Sequence, residues 1–406
     1  MRYGSLFSAA VVVLFLLSSA TEAEALPRMS MTSGAPCSTC HINNQGGGMR
    51  SEIGWGSMAY TGLFDYEDLG IDFLADMYSH EIVERRVAVG FDARMQMARL
   101  GRPVAEIDDN GEQQVVAPDR RVIPMQLQPH IAVEVLDWLK LHGTYAAGPN
   151  TFRGELCDTP YAGQSCYMAQ AIIEPSRPWP KFRVGNFQPS IGIRHDDHTM
   201  LIRDDVSRTR APIIPANYAE LGAEVSYQPK YWLRMEAGGF RADRLSQSIG
   251  NTEIVSPNDV AYLGRITWMP QLNLDESDLS FVGMFGASVF GAGSFRMENV
   301  FAGIGLLDRG SLILEAAHFG NGSYDDKDGL NLSSVLSVQA REWLIFEGRL
   351  ERGWVGMDDQ AYETRAAVVG LQFFPIPYVK LRPEYRYIRT DQYAMGQYTA
   401  QLHLFF

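Results

Sequence analysis

Cys37-Ser38-Thr39-Cys40-His41 is the run whose residue types and spacing most directly specify a chemistry. In C-x-x-C-H the two thiols add to the vinyl groups on one edge of a haem, and the next histidine is carried beneath the iron as proximal ligand. With four cysteines and eight histidines in 406 residues, the pattern arises by chance about 0.0008 times. Two plainer readings compete: a Cys37–Cys40 disulfide, or half of a zinc site. Zinc needs four ligands, and the other cysteines, Cys157 and Cys166, lie more than 110 residues away. The spacing therefore predicts one covalent haem c. For the sixth iron position, Met49, Met58, Met77 and His80 are within reach by sequence. A methionine is more often core filler than ligand. The turn Gly46-Gly47-Gly48 makes Met49 the first choice.

The elements around the motif place it outside the cytoplasm. Arg2, the apolar run Ala9 to Leu17 and Ala23-Glu24-Ala25 form a secretory signal with an A-x-A cleavage site. Residues 1–25 are read as removed, which leaves 381 residues with net charge −12 from −13. Export places the cysteines in an oxidising compartment. An excess of 48 acidic over 35 basic residues argues against nucleic acid as a partner. No apolar run after residue 25 approaches the ~18 residues of a spanning helix.

From about residue 83 the hydrophobic period is two. Val87, Val89, Phe91, Ala93, Met95 and Met97 alternate with Ala88, Gly90, Asp92, Arg94 and Gln96, and Val379, Leu381, Pro383, Tyr385 and Tyr387 alternate with Lys380, Arg382, Glu384 and Arg386. Long strands with one apolar and one charged face suit a transmembrane barrel, with lipid outside and water inside. A soluble β-domain would bury the apolar face and shorten the strands. The last segment alternates from Tyr398 to Phe406, and its terminal aromatic is similar to the insertion signal of bacterial outer-membrane proteins. Hairpins are expected as 83–99 with 121–136, 138–147 with 166–175, 180–192 with 218–228, and 231–241 with 258–269. They continue as 279–290 with 295–307, 310–320 with 331–340, 343–355 with 360–374, and 377–389 with 393–406. The fold expected is all-β, a transmembrane antiparallel barrel of about 16 strands with a small N-terminal c-type haem segment. Short turns (Gln228-Pro229-Lys230, Leu307-Asp308-Arg309-Gly310, Pro375-Ile376-Pro377) read as periplasmic, and the long polar loops as external.

Two loops carry further candidates. In an exported chain, Cys157 and Cys166 read as a disulfide closing a small ring. The longest loop, 193–217, carries Arg194-His195-Asp196-Asp197-His198 and then Arg203, Asp204, Asp205, Arg208 and Arg210. The barrel resembles the sixteen-stranded porins, in which this loop folds into the lumen and narrows it, and the resemblance implies a hydrated constriction of mixed charge here. The alternative is a metal-docking site at His195, Asp196, Asp197 and His198, whose imidazoles and carboxylates suit iron. The acidic patches Asp325, Asp326 and Asp328, and Asp358 with Asp359, read as solvated loop tips.

Signal peptide, Cys37–His41 near the mature N-terminus, barrel and terminal Phe406 together resemble the fused monohaem cytochrome–porins, the outer-membrane iron-oxidising cytochrome family. Arg183-Val184-Gly185-Asn186-Phe187-Gln188-Pro189 also looks like a strand of phosphate-selective porins. The resemblance implies residues 1–25 as signal, 26–80 as a haem segment plugging the lumen, and 81–406 as an outer-membrane barrel of a Gram-negative bacterium. It implies an iron-oxidising, oxidoreductase-like electron conduit, in which single electrons pass from an extracellular donor such as ferrous iron, through the haem, to a periplasmic cytochrome or cupredoxin. The competing readings are a passive anion-selective pore with a basic lumen (Lys380, Arg382, Arg386) and a sensory haem, or outward electron export through the same parts. A chain as short as 26–80 buries too little surface to cover a haem alone, so the haem is expected inside the barrel with its edge toward loop 193–217. Residues 65–78 are expected to include a short helix.

Overall fold

The computed structural model describes residues 29–31, 35, 37–43, 46, 48–59, 61–65, 67–70, 86–100, 104–107, 113–116, 120–148, 151, 154–159, 161–175, 179–195, 199–206, 212–273, 280–306, 309–321, 328–356, 362–391 and 393–405. The signal segment, Met77, His80 and Phe406 lie outside the described residues. Of residues 65–78, expected to include a short helix, those described are 65, which is not helical, and 67–70, which form a turn.

Sixteen antiparallel strands form one sheet closed on itself. They are β1 (Val87–Leu100), β2 (Arg120–Leu136), β3 (Leu139–Tyr145), β4 (Tyr167–Ile173), β5 (Lys181–Phe187), β6 (Glu220–Lys230), β7 (Leu233–Arg241) and β8 (Val260–Trp268, resuming at Gln271–Asn273). They continue as β9 (Ser280–Ala292), β10 (Phe295–Leu306), β11 (Gly310–Gly320), β12 (Gly329–Arg341), β13 (Leu344–Val355), β14 (Tyr362–Ile376), β15 (Val379–Thr390) and β16 (Ala394–Phe405). Each strand pairs with its sequence neighbours, and β1 closes the ring on β16 with Asp92 opposite Phe405 and Arg99 opposite Tyr398. Closure removes the sheet edges, which a bilayer cannot satisfy.

Burial is inverted relative to a soluble domain. Val300, Leu314, Leu336, Leu350 and Val369 are exposed, whereas Asp92, Arg94, Glu236, Glu315, Arg349 and Lys380 are buried. The period-2 alternation sends apolar side chains to lipid and charged ones to the lumen. Trp138, Trp179, Tyr231 and Trp268 stand exposed beside the short turns, as an interfacial aromatic girdle does.

Several boundaries differ from the sequence expectation: Pro375 and Ile376, read as turn, belong to β14, and the turn falls at Pro377-Tyr378. Gln228-Pro229-Lys230 is strand rather than turn, because a bulge between Tyr227 and Lys230 absorbs the proline and moves the turn on to Tyr231-Trp232. Strand β5 ends at Phe187, five residues before the expected limit, and Gln188 and Ser190 beyond it are buried. A separate hairpin pairs Val104–Ile107 with Gln113–Val116 in the first long loop.

Candidate functional site

The motif folds as a helix–hairpin–helix. Helix α1 (Cys37–Cys40) ends where the His41 amide donates to Cys37 O at 3.0 Å. His41 then bridges antiparallel to Arg50, and the Ile42 amide donates to Met49 O at 3.2 Å. Helix α2 (Glu52–Met58) starts at Ser51, whose hydroxyl accepts from the Gly54 amide at 3.2 Å and donates to Thr39 O at 2.6 Å. Gly54 allows α2 to lie against Cys40, since a Cβ there would collide with the Cys40 carbonyl. Gly46, at φ +83°, closes the hairpin, and a Cβ on it would touch Cys37 Sγ and His41 Cδ2, each at 3.7 Å.

The segment sits against lumen-facing barrel residues. Met31 packs on Met284, Phe301 and Ile313, and Gly305 leaves room for its carbonyl. Arg234 of β7 donates to Ser38 Oγ at 2.8 Å. Met49 packs on Ala88 and Ala132. Trp55 stacks on Tyr378 in the β14–β15 turn at 4.0 Å and 12°, and the Leu63 and Phe64 amides donate to Phe374 O and Pro375 O. These contacts fasten the described residues between 29 and 64 to the short-turn end of the lumen.

Cys37 and Cys40 are not disulfide-bonded, and no group of three or more His, Cys, Asp or Glu able to hold a bare metal ion occurs among the described residues. Two thiols on one helical turn, followed by a buried imidazole under a glycine cradle, are a donor set that fits a covalent haem. The structure brings Cys37, Cys40, His41 and Met49 together. Met58 lies apart, packed with Ile345, Phe374 and Phe405. Cys157 and Cys166 form a disulfide with Cα atoms 5.3 Å apart.

The described parts of the third long loop, 188–195, 199–206 and 212–219, pack against lumen-facing side chains of the barrel. Glu315 of β11 accepts from the Ile193 amide at 3.0 Å, Glu351 of β13 accepts from the Leu201 amide at 2.7 Å, and Asn331 of β12 donates to Leu201 O and Asp204 O, both at 2.7 Å. Arg203 donates to Ile191 O and Ile193 O; burial pulls its guanidinium below the usual range, against the pull of Glu315. At the loop's end, burial lifts the Tyr218 phenol well above its ordinary value, with Glu220 adding to the shift. His195 pairs with Glu315 at 2.8 Å, so that its imidazole is engaged on the barrel wall. Asp196, Asp197 and His198 lie outside the described residues.

The lumen is less basic than the sequence suggested. Arg382 lies 2.6 Å from both Glu347 and Glu384, and Arg386 lies 2.5 Å from Glu384. Arg183 pairs with Glu224 at 2.6 Å, Arg349 with Glu351 at 2.9 Å, and Arg265 with Glu236. Burial of these cations is sustained by pairing. Sequence reasoning missed Glu224, Glu315, Glu351 and Asn331 as loop anchors. It also missed the lumen histidines His130 and His142, whose rings lie 6.3 Å apart beside Met49. Their signal was present in the facing segments of β2 and β3, two histidines on inward positions of adjacent strands.

No protein-family model matches the chain, and no curated protein matches it by sequence. Among solved structures it is similar to OprB of Pseudomonas putida at high pH, with 13% identity and a TM-score of 0.51, over 85% of this chain and 98% of that one. It is also similar to the anion-selective porin from Comamonas acidovorans, with 9% identity and a TM-score of 0.50, over 79% of this chain and 99% of that one. At these identities the likeness is one of fold, and the fold is the sixteen-strand outer-membrane barrel of the porins.

Proposed function

We propose that this porin-type barrel moves single electrons across the outer membrane through a c-type haem carried by Cys37, Cys40 and His41 in its lumen. One observation supports the proposal above the rest: the motif's two thiols and its buried imidazole lie on a segment fastened to lumen-facing side chains. Bound there, a c-type haem supplies one-electron exchange between ferric and ferrous iron. Cys37 and Cys40 would hold it by thioethers, and His41 would ligate it from the proximal side. The apolar band of the barrel, about 25 Å tall, insulates the path from lipid. In this reading residues 26–80 are the haem segment and 81–406 the barrel. The donor is a small extracellular reductant such as ferrous iron, and a periplasmic cytochrome or cupredoxin accepts at the short-turn end. Outward export would use the same residues in reverse.

The second reading, a passive anion-selective pore with a sensory haem, is favoured by the fold likeness to the Comamonas porin and by Lys380, Arg382 and Arg386 on the lumen wall. The barrel comparisons fit this reading more directly than the first. Against it stand the carboxylates that neutralise Arg382 and Arg386. The deciding experiment mixes ferrous iron anaerobically with the purified, haem-matured chain and follows the haem absorbance, with ion conductance measured in planar bilayers. Reduction of the haem, absent in C37S/C40S, is expected. Stable anion conductance without haem reduction would establish the pore instead.

A further inference from the structure

We infer that His130 of β2 is the sixth ligand of the haem iron; this rests on the haem reading above and replaces Met49 in that role. Register places His130 among lumen-facing side chains that share a cavity with the haem segment. It stands opposite Thr144 on β3, while His142, two residues before Thr144, stands opposite Gln170 on β4. All four side chains enter one small cavity of about 20 Å³ that Asn43, Gly48 and Met49 close from the haem side. The His130 Cε1 lies 3.8 Å from where a Cβ on Gly48 would be, so the ring lies against the haem segment at this turn.

The ring is oriented as a ligand's is. Its Nδ1 lies 2.8 Å from Thr144 Oγ1, while its Nε2, buried in a residue 5% exposed, has no hydrogen-bond partner. A metal-binding imidazole is commonly fixed through one nitrogen so that the other is presented to the metal. The proton assignment depends on the sense of the Gln170 amide. Thr144 Oγ1 also reaches His142 Nε2 at 3.5 Å, and the Gln170 amide lies 3.1 Å from His142 Nδ1, its oxygen unpartnered. When that amide is turned so that its oxygen accepts from His142 Nδ1–H, Thr144 donates to His142 Nε2 and accepts from His130 Nδ1–H. The His130 Nε2 then carries a lone pair and no proton. Amide orientation is free to take this sense, in which the otherwise unpartnered Gln170 oxygen gains a donor. Met49, by contrast, has its side chain in an apolar contact with Ala88, Ala132 and Ile42, the ordinary role of a core methionine.

The experiment uses the full-length, haem-loaded chain in detergent and reads the haem rather than its turnover. Covalent haem is scored by peroxidase staining after denaturation, barrel integrity by heat-modifiable migration, and ligation by absorbance and electron paramagnetic resonance. The wild type is expected to be low-spin with two nitrogen ligands. H130A is expected to retain covalent haem and barrel but become high-spin, and added imidazole should restore the low-spin spectrum. H130M should gain the methionine–iron charge-transfer band and a higher potential, and M49L should match the wild type. Haem present with an unchanged low-spin spectrum in H130A, or a high-spin spectrum in M49L, overturns the assignment while leaving the haem reading intact. A wild-type chain without covalent haem overturns both.

Discussion

Replacing Trp55 with Ala tests whether the haem segment is fastened to the barrel as described. Trp55 is 5% exposed, stacks on Tyr378 at 4.0 Å and packs with Met29, Met58, Ile345, Phe374 and Phe405. Truncating a buried tryptophan costs roughly 3–5 kcal/mol, of which a stacked aromatic pair accounts for about 0.5–1.5 kcal/mol beyond burial. The loss falls on local opening of the segment, because the strand hydrogen bonds of the barrel do not depend on Trp55. Taking about 3 kcal/mol, and tenfold for each 1.4 kcal/mol, opening should become roughly a hundredfold easier. Hydrogen exchange on the purified chain should show residues 52–64 exchanging about a hundredfold faster in W55A, with β13 to β16 unchanged. W55F, which keeps a ring against Tyr378, should recover most of the protection. Exchange of 52–64 within about threefold of wild type in W55A would refute the claim that this stack holds the segment.

Other perturbations address the loops and the lumen. Glu224 accepts from Arg183 at 2.6 Å and from the Ser190 amide at 3.0 Å, so E224A strands a buried guanidinium at a cost of about 3–5 kcal/mol. The temperature at which the barrel loses its folded electrophoretic mobility should fall, and an unchanged value would contradict the pairing. E315A removes the acceptor shared by the Ile193 amide, His195 and Asn299. Loop three should loosen and single-channel conductance in planar bilayers should rise, whereas equal conductance would show that other anchors hold the loop. Cys157 and Cys166 should resist thiol reagents on intact cells until a reductant is added; immediate labelling of both would show that no bridge forms.

The barrel was legible because alternation is a local property. Val379 to Arg386 states its inward and outward faces in eight residues, and each strand of the sixteen does so independently. The inward folding of the third loop was implied by the resemblance to sixteen-stranded porins, but its anchors could not be read. Glu315, Asn331 and Glu351 look in sequence like any other lumen-facing polar residue, and only closure brings them under Ile193 and Leu201. Arg382 and Arg386 were read as open cations although Glu384, on the same face between them, was already visible. Cys37, Cys40 and His41 were legible because their chemistry fixes their spacing. His130 was not, since its pairing with Thr144 depends on the β2–β3 register and its nearness to Gly48 on the folding-in of the segment.

The central claim, that electrons cross the barrel through a lumen haem, is tested most directly in sealed proteoliposomes holding ferricyanide inside, with ferrous iron added outside. With the haem-loaded chain, the internal ferricyanide should lose its absorbance, and with C37S/C40S barrels of equal insertion it should not. Persistence of ferricyanide beside fully haem-loaded, inserted barrels, or equal loss with C37S/C40S, would contradict the account.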